Sequence, residues 1–135
     1  MALKLAVVDD EEPILKALRR LFSREYEFHA FNKPEAFLAA FPTLNPAVVL
    51  TDLAMPNISG LELTQRVIEA QKMTQVVMMT GAIEPGRVLE AYRVGVSDFL
   101  LKPWEDSDLR EVIENAGRRY RRWSRLAYPG QKEPG

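Results

Sequence analysis

Carboxylates, a hydroxyl and an amine each stand at the end of a separate apolar run in this chain. LKLAVV (3–8) leads into Asp9 and Asp10, with Glu11 and Glu12 behind them. AVVLT (47–51) leads into Asp52, QVVMMT (75–80) ends on Thr80, and DFLL (98–101) leads into Lys102. Brought together, Asp9, Asp10 and Asp52 would repel one another and bind protons more tightly unless a cation lay among them. A hard divalent ion that takes oxygen ligands and keeps several waters, Mg²⁺, fits such a set. Metal, ammonium and hydroxyl together suit the equatorial oxygens of a phosphoryl group in transfer. Asp52 would then be the nucleophile and its product an acyl phosphate. Taken singly, each residue has a plainer reading: a helix cap or loop acid for Asp9 and Asp10, a turn residue for Asp52, a strand-end hydroxyl for Thr80, a solvated loop lysine for Lys102. Their shared position, each after a different run, favours the joint site.

That site needs a scaffold that brings four run ends to one edge. The pattern supplies one. Strand-like runs at 3–8, 26–31, 47–51, 75–80 and 98–101 alternate with helical spacing at 12–23, 33–41, 60–72, 84–94 and from about Glu105 onward. Pro13 sits in a tolerable first turn, Pro42 is expected to stop the second helix, and Gly95 to close the fourth. Val88, Ala91 and Tyr92 are the apolar residues that fourth helix is expected to carry. Five βα units imply a parallel sheet with right-handed crossovers and helices on both faces. The continuous apolar strands agree, because parallel strands are covered on both sides. Open α/β sheets place their ligands outside the carboxyl ends of the strands.

VVDDEE, LTDLAMP, MMTG and DFLLKPW, in this order and spacing, resemble the successive motifs of the receiver domain of two-component response regulators. The resemblance covers about residues 3 to 120. It implies a single-domain, doubly wound α/β fold of flavodoxin-like type, with five parallel strands in the order 2-1-3-4-5. Residues 1–120 would form the receiver and 121–135 a helix extension and flexible tail. It further implies that Asp52 is the phosphoacceptor, that Asp10 binds Mg²⁺ directly and Asp9 mostly through water, and that Asp52 and the main-chain carbonyl of Ala54 complete the protein ligands. Thr80 would be the switch hydroxyl and Lys102 the partner of the phosphoryl group, with a cis Lys102–Pro103 bond. Phe99 would be the switch aromatic. Ala54 and Ala82 occupy positions that tune dephosphorylation in the family.

The function so implied is signalling. A histidine kinase or phosphotransfer protein would supply the phosphoryl group, and the α4-β5-α5 surface would change to control a partner or output domain. No enzymatic turnover is expected beyond autocatalytic phosphorylation and slow autodephosphorylation. One rival is a phosphorylation-independent binding module on the same scaffold. Another is a haloacid-dehalogenase-like phosphohydrolase, which would want a second aspartate two residues after the nucleophile, where Ala54 stands.

Composition narrows the rest. A net charge of −1 gives no general pull toward nucleic acid or an anionic membrane. No apolar run approaches the roughly 20 residues of a membrane span, and MALKLAVVDD is too short an apolar start for a signal peptide. The chain has no cysteine, so a cytoplasmic setting is the expectation, and a single histidine, His29, cannot build a His-rich metal site. Leu109, Ile113, Ala116, Tyr120, Trp123 and Ala127 form a heptad seam. Its first half is expected to cover the sheet. Its second half, in GRRYRRWSRL with Arg118, Arg119, Arg121, Arg122 and Arg125, is expected to continue as a connector that pairs with a second copy or feeds a downstream domain, slightly ahead of the reading that these arginines only complement the helix C-terminus and stay solvated. Nucleic-acid binding ranks last, because no DNA-binding motif follows.

Overall fold

The computed structural model describes residues 2–130. Five strands form one parallel sheet: β1 (Lys4–Val8), β2 (Glu27–Phe31), β3 (Val48–Asp52), β4 (Gln75–Thr80) and β5 (Asp98–Leu101). Their order is β2-β1-β3-β4-β5, as the resemblance implied. Five helices connect and cover them: α1 (Glu12–Phe22), α2 (Pro34–Leu44), α3 (Gly60–Ala70), α4 (Pro85–Val94) and α5 (Asp106–Ala127).

The two faces of the sheet carry separate cores, because alternate residues of a strand point to opposite sides. Leu5, Val7, Leu50, Val77 and Met79 pack with Leu15, Leu18 and Phe22 of α1 and with Leu109, Ile113, Ala116 and Tyr120 of α5. Ala6, Val8, Val49 and Val76 pack with Phe37 and Phe41 of α2 and with Leu63 and Val67 of α3. β3 and β4 are buried along their whole length, which explains their unbroken apolar character.

Two expectations are corrected, and one helix buries less than its apolar content suggests. Pro42 does not stop α2; it lies inside the helix, which runs on to Leu44. Being near the end, it forfeits only one backbone hydrogen bond. The helix ends instead at Asn45, left-handed at φ 46°, whose amide donates to the Phe41 carbonyl at 2.8 Å. Tyr92 does not share the buried face of α4. It is 79% exposed, and Ala91 is the helix's buried residue. The apolar seam of α5 also departs from a strict heptad: burial passes from Tyr120 to Ser124, leaving Trp123 51% exposed. A straight helix of 3.6 residues per turn drifts away from a 3.5 repeat, and the buried stripe follows the helix. The helix is continuous across position 120. Of the expected flexible tail, residues 131–135 lie outside the described residues.

Candidate functional site

Strand register places the site. Val8 of β1 pairs with Thr51 of β3, so Asp9 and Asp52 leave the sheet side by side. Thr80 pairs with Leu101, and the Lys102 amide donates to the Thr80 carbonyl at 2.7 Å. β1 and β4 flank β3, so all four run ends share one edge.

Lys102 reaches across that edge. Its Nζ donates to Asp9 Oδ2 at 2.8 Å and lies 3.5 Å from Asp52 Oδ2 and 3.7 Å from Glu11 Oε2. Asp9 is fully buried, and its other oxygen accepts from the Glu11 amide at 2.9 Å. Burial of Asp52 and the neighbouring Asp9 charge raise its pKa, against the opposing pull of Lys102 and a hydrogen bond from the Ala54 backbone. Burial pulls the Lys102 ammonium down, but its hydrogen bond to Asp9 and the charges of Asp9, Asp52 and Glu11 outweigh that, and its net shift is upward. The cluster thus holds more negative charge than one ammonium balances.

Asp9, Asp10 and Asp52 each offer an oxygen within 4.8 Å of the others. The donors are all carboxylate oxygens, which is what a hard divalent cation takes. Asp9 and Asp52 are buried and Asp10 is exposed, so the cluster opens to solvent on one side. The Thr80 hydroxyl, buried at the same edge, donates to the Ala82 carbonyl at 2.9 Å and so closes the loop into α4. The Lys102–Pro103 peptide is cis. Phe99 is partly buried against Leu53, Met78 and Ala91, beneath α4. Ala54 is exposed beside Asp52.

Two contributors escaped the sequence reading. Glu11, given no role of its own from the sequence, faces Lys102. Its place directly after the acid pair was the available signal. Gly60 begins α3 against the end of β3: a Cβ there would stand 2.3 Å from the Asp52 carbonyl oxygen. The turn after Asp52 therefore requires glycine at that position.

The sequence profile described as response regulator receiver domain matches residues 5–114. The chain belongs to the response regulator receiver family. Among curated relatives, the receiver is 35% identical over 111 residues to the transcriptional regulatory protein FixJ of Rhizobium meliloti, covering 82% of this chain and 54% of that protein. The receiver thus spans about half the length of that relative. Among solved structures, FixJ-N superposes with a TM-score of 0.78 at 34% identity, covering 87% of this chain and 95% of that one. A response regulator receiver domain protein from Clostridium thermocellum superposes with a TM-score of 0.82 at 28% identity, covering 88% and 96%.

Proposed function

We propose that this receiver accepts a phosphoryl group on Asp52 from a histidine kinase or phosphotransfer protein, and that the event controls a partner or an output domain. The convergence of Lys102 on Asp9, Asp52 and Glu11 carries the reading. In the transfer, an Asp52 carboxylate oxygen attacks phosphorus while the bond from phosphorus to the donor imidazole nitrogen breaks, and the nitrogen keeps the electron pair and takes up a proton. Lys102 lies close enough to Asp52 to meet an equatorial phosphoryl oxygen, giving up part of its hold on Asp9. Asp9, Asp10, Asp52 and the Ala54 carbonyl would hold Mg²⁺, which when bound supplies positive charge to the phosphoryl oxygens. The groove of about 410 Å³ lined by Glu11, Ile14, Lys102, Pro103 and Trp104 gives a donor helix a largely apolar seat beside the acceptor.

Thr80 is the switch hydroxyl in this reading. Turning toward the new phosphoryl oxygen means leaving the Ala82 carbonyl, so the loop into α4 is released. Phe99, next to that space, follows, and the α4-β5-α5 surface repacks. The change is a population shift between two packings, biased by local charge. Autodephosphorylation is slow, since Ala54 and Ala82 offer water no polar side chain. Residues 1–120 act as the receiver and 121–127 extend its last helix. No helix among the described residues is long and apolar enough to cross a membrane, and we place the protein in the cytoplasm.

The test is labelling by acetyl phosphate with Mg²⁺, read by intact mass. Wild type gains one phosphoryl group and Asp52→Asn gains none. Stoichiometric labelling of the variant would reassign the acceptor. Failure of wild type to bind beryllofluoride with Mg²⁺ would favour a phosphorylation-independent binding module.

A further inference from the structure

Glu11 holds a place that the needs of the first helix do not explain. It is the N-cap residue of α1, yet its side chain makes no cap bond. A side chain at this position normally satisfies one of the first free amides of the helix. Here the Glu11 amide donates to Asp9 Oδ1 at 2.9 Å, which fixes the residue beside the site. Its carboxylate turns to Lys102, with Oε2 3.7 Å from Nζ. Three carboxylates surround that ammonium, and they differ in exposure. The side chains of Asp9 and Asp52 are 0% and 10% exposed, whereas that of Glu11 is 60% exposed. Glu11 also lines the groove of about 410 Å³, with Ile14, Lys102, Pro103 and Trp104. A phosphodonor seated there lies against Glu11 and Lys102 together.

We propose that Glu11 is a specificity-determining residue for the phosphodonor. It disfavours fully anionic donors and favours those whose leaving group is a protonated nitrogen. The inference rests on Asp52 being the acceptor. Two small donors separate the cases. Acetyl phosphate is a dianion at neutral pH. The Asp52 oxygen attacks phosphorus, the bond from phosphorus to the acyl oxygen breaks, and acetate leaves with the electron pair. Phosphoramidate carries a protonated nitrogen on phosphorus. There the bond from phosphorus to nitrogen breaks, and ammonia leaves with the pair. An exposed carboxylate a few ångströms from the acceptor repels the first donor more than the second, because the nitrogen's charge offsets part of the phosphoryl charge. Glu11 also draws on the Lys102 charge, but that acts on both donors alike, so the ratio of their rates isolates donor selection. Asp9 does not share the role, since it is buried and Lys102 donates to it at 2.8 Å. Nor does Glu12, which accepts from Asn32 Nδ2 at 3.2 Å. An imidazole donor, whose nitrogen takes up a proton, belongs to the favoured class.

The experiment compares labelling rates from acetyl phosphate and phosphoramidate, each with Mg²⁺ at low ionic strength. It is read by intact mass on the full chain, with folding of each variant checked by circular dichroism. Glu11→Gln should raise the acetyl phosphate rate relative to the phosphoramidate rate by roughly threefold to tenfold, the scale of one charge removed a few ångströms away in a solvent-exposed site. Glu11→Lys should raise the ratio further. Glu12→Gln, which removes an equal charge held at Asn32, should leave it unchanged. The Glu11→Gln effect should shrink at about 1 M salt, where screening lengths fall to about 3 Å. A ratio unmoved by Glu11→Gln, moved equally by Glu12→Gln, or moved as much at high salt would overturn donor selection by Glu11 while leaving Asp52 as the acceptor. A wild type that neither donor labels would overturn the acceptor assignment as well.

Discussion

Gly60 shows how closely the site depends on a residue that carries no chemistry. The first turn of α3 passes so near the end of β3 that any side chain at position 60 meets the Asp52 main chain. Overpacking of this kind costs about 1–3 kcal/mol, more than a helical alanine returns. Gly60→Ala should therefore lower stability by about that amount in urea titration, and should slow acetyl phosphate labelling because Asp52 is displaced. A variant as stable and as reactive as wild type would mean that the approach is not a constraint. The contrast with Asp9, Asp52, Thr80 and Lys102 explains what the sequence could reveal. Those four lie at the ends of apolar runs, and in a parallel sheet all such ends share one edge, so their meeting follows from the pattern. Glu11 matters through its 3.7 Å approach to Lys102, and Gly60 because a Cβ there would stand 2.3 Å from the Asp52 carbonyl oxygen; no periodicity encodes either.

The elements themselves vary in how their ends are fixed. α3 has a capped start: the Ser59 hydroxyl accepts from the Glu62 amide at 3.2 Å, and Glu62 places acid in the first turn. α1, α2, α4 and α5 have no side-chain cap bond, and three of them rely on proline in the first turn. Ser59→Ala should cost about 1 kcal/mol, seen as a lower urea midpoint with unchanged slope. A midpoint equal to wild type would show that water replaces the cap without loss. Element existence and order were readable because apolar periodicity switches cleanly between strand and helix. Ends and faces were less so. Pro42 looked like a stop but sits where the helix has few hydrogen bonds left to lose. Trp123 matched a heptad, yet the core met α5 at the natural helical repeat and chose Ser124. Tyr92 is apolar in character yet 79% exposed, because α4 buries only Ala91.

Across the whole molecule, stability is unevenly shared, and the least anchored element adjoins the site. α5 buries six residues and α1 three, whereas α4 buries Ala91 alone. Local opening is easiest where few apolar contacts hold an element, so α4 should open at a free energy well below global unfolding. The loop that enters it is held by the Thr80 hydroxyl on the Ala82 carbonyl. A switch that moves Thr80 therefore acts on the element least resistant to change, while α2 packs in a core that contains no residue of α4, β5 or α5. Hydrogen exchange followed by mass spectrometry tests this directly. In the free protein, amides of 85–94 should exchange well before those of α1 and the first half of α5. Beryllofluoride with Mg²⁺ should alter exchange across 80–94 and leave α2 unchanged. If α4 were as protected as α5 in the free protein, low anchoring would not be the device that couples site to surface. If beryllofluoride bound without altering 80–94, Thr80 would not be the link between them.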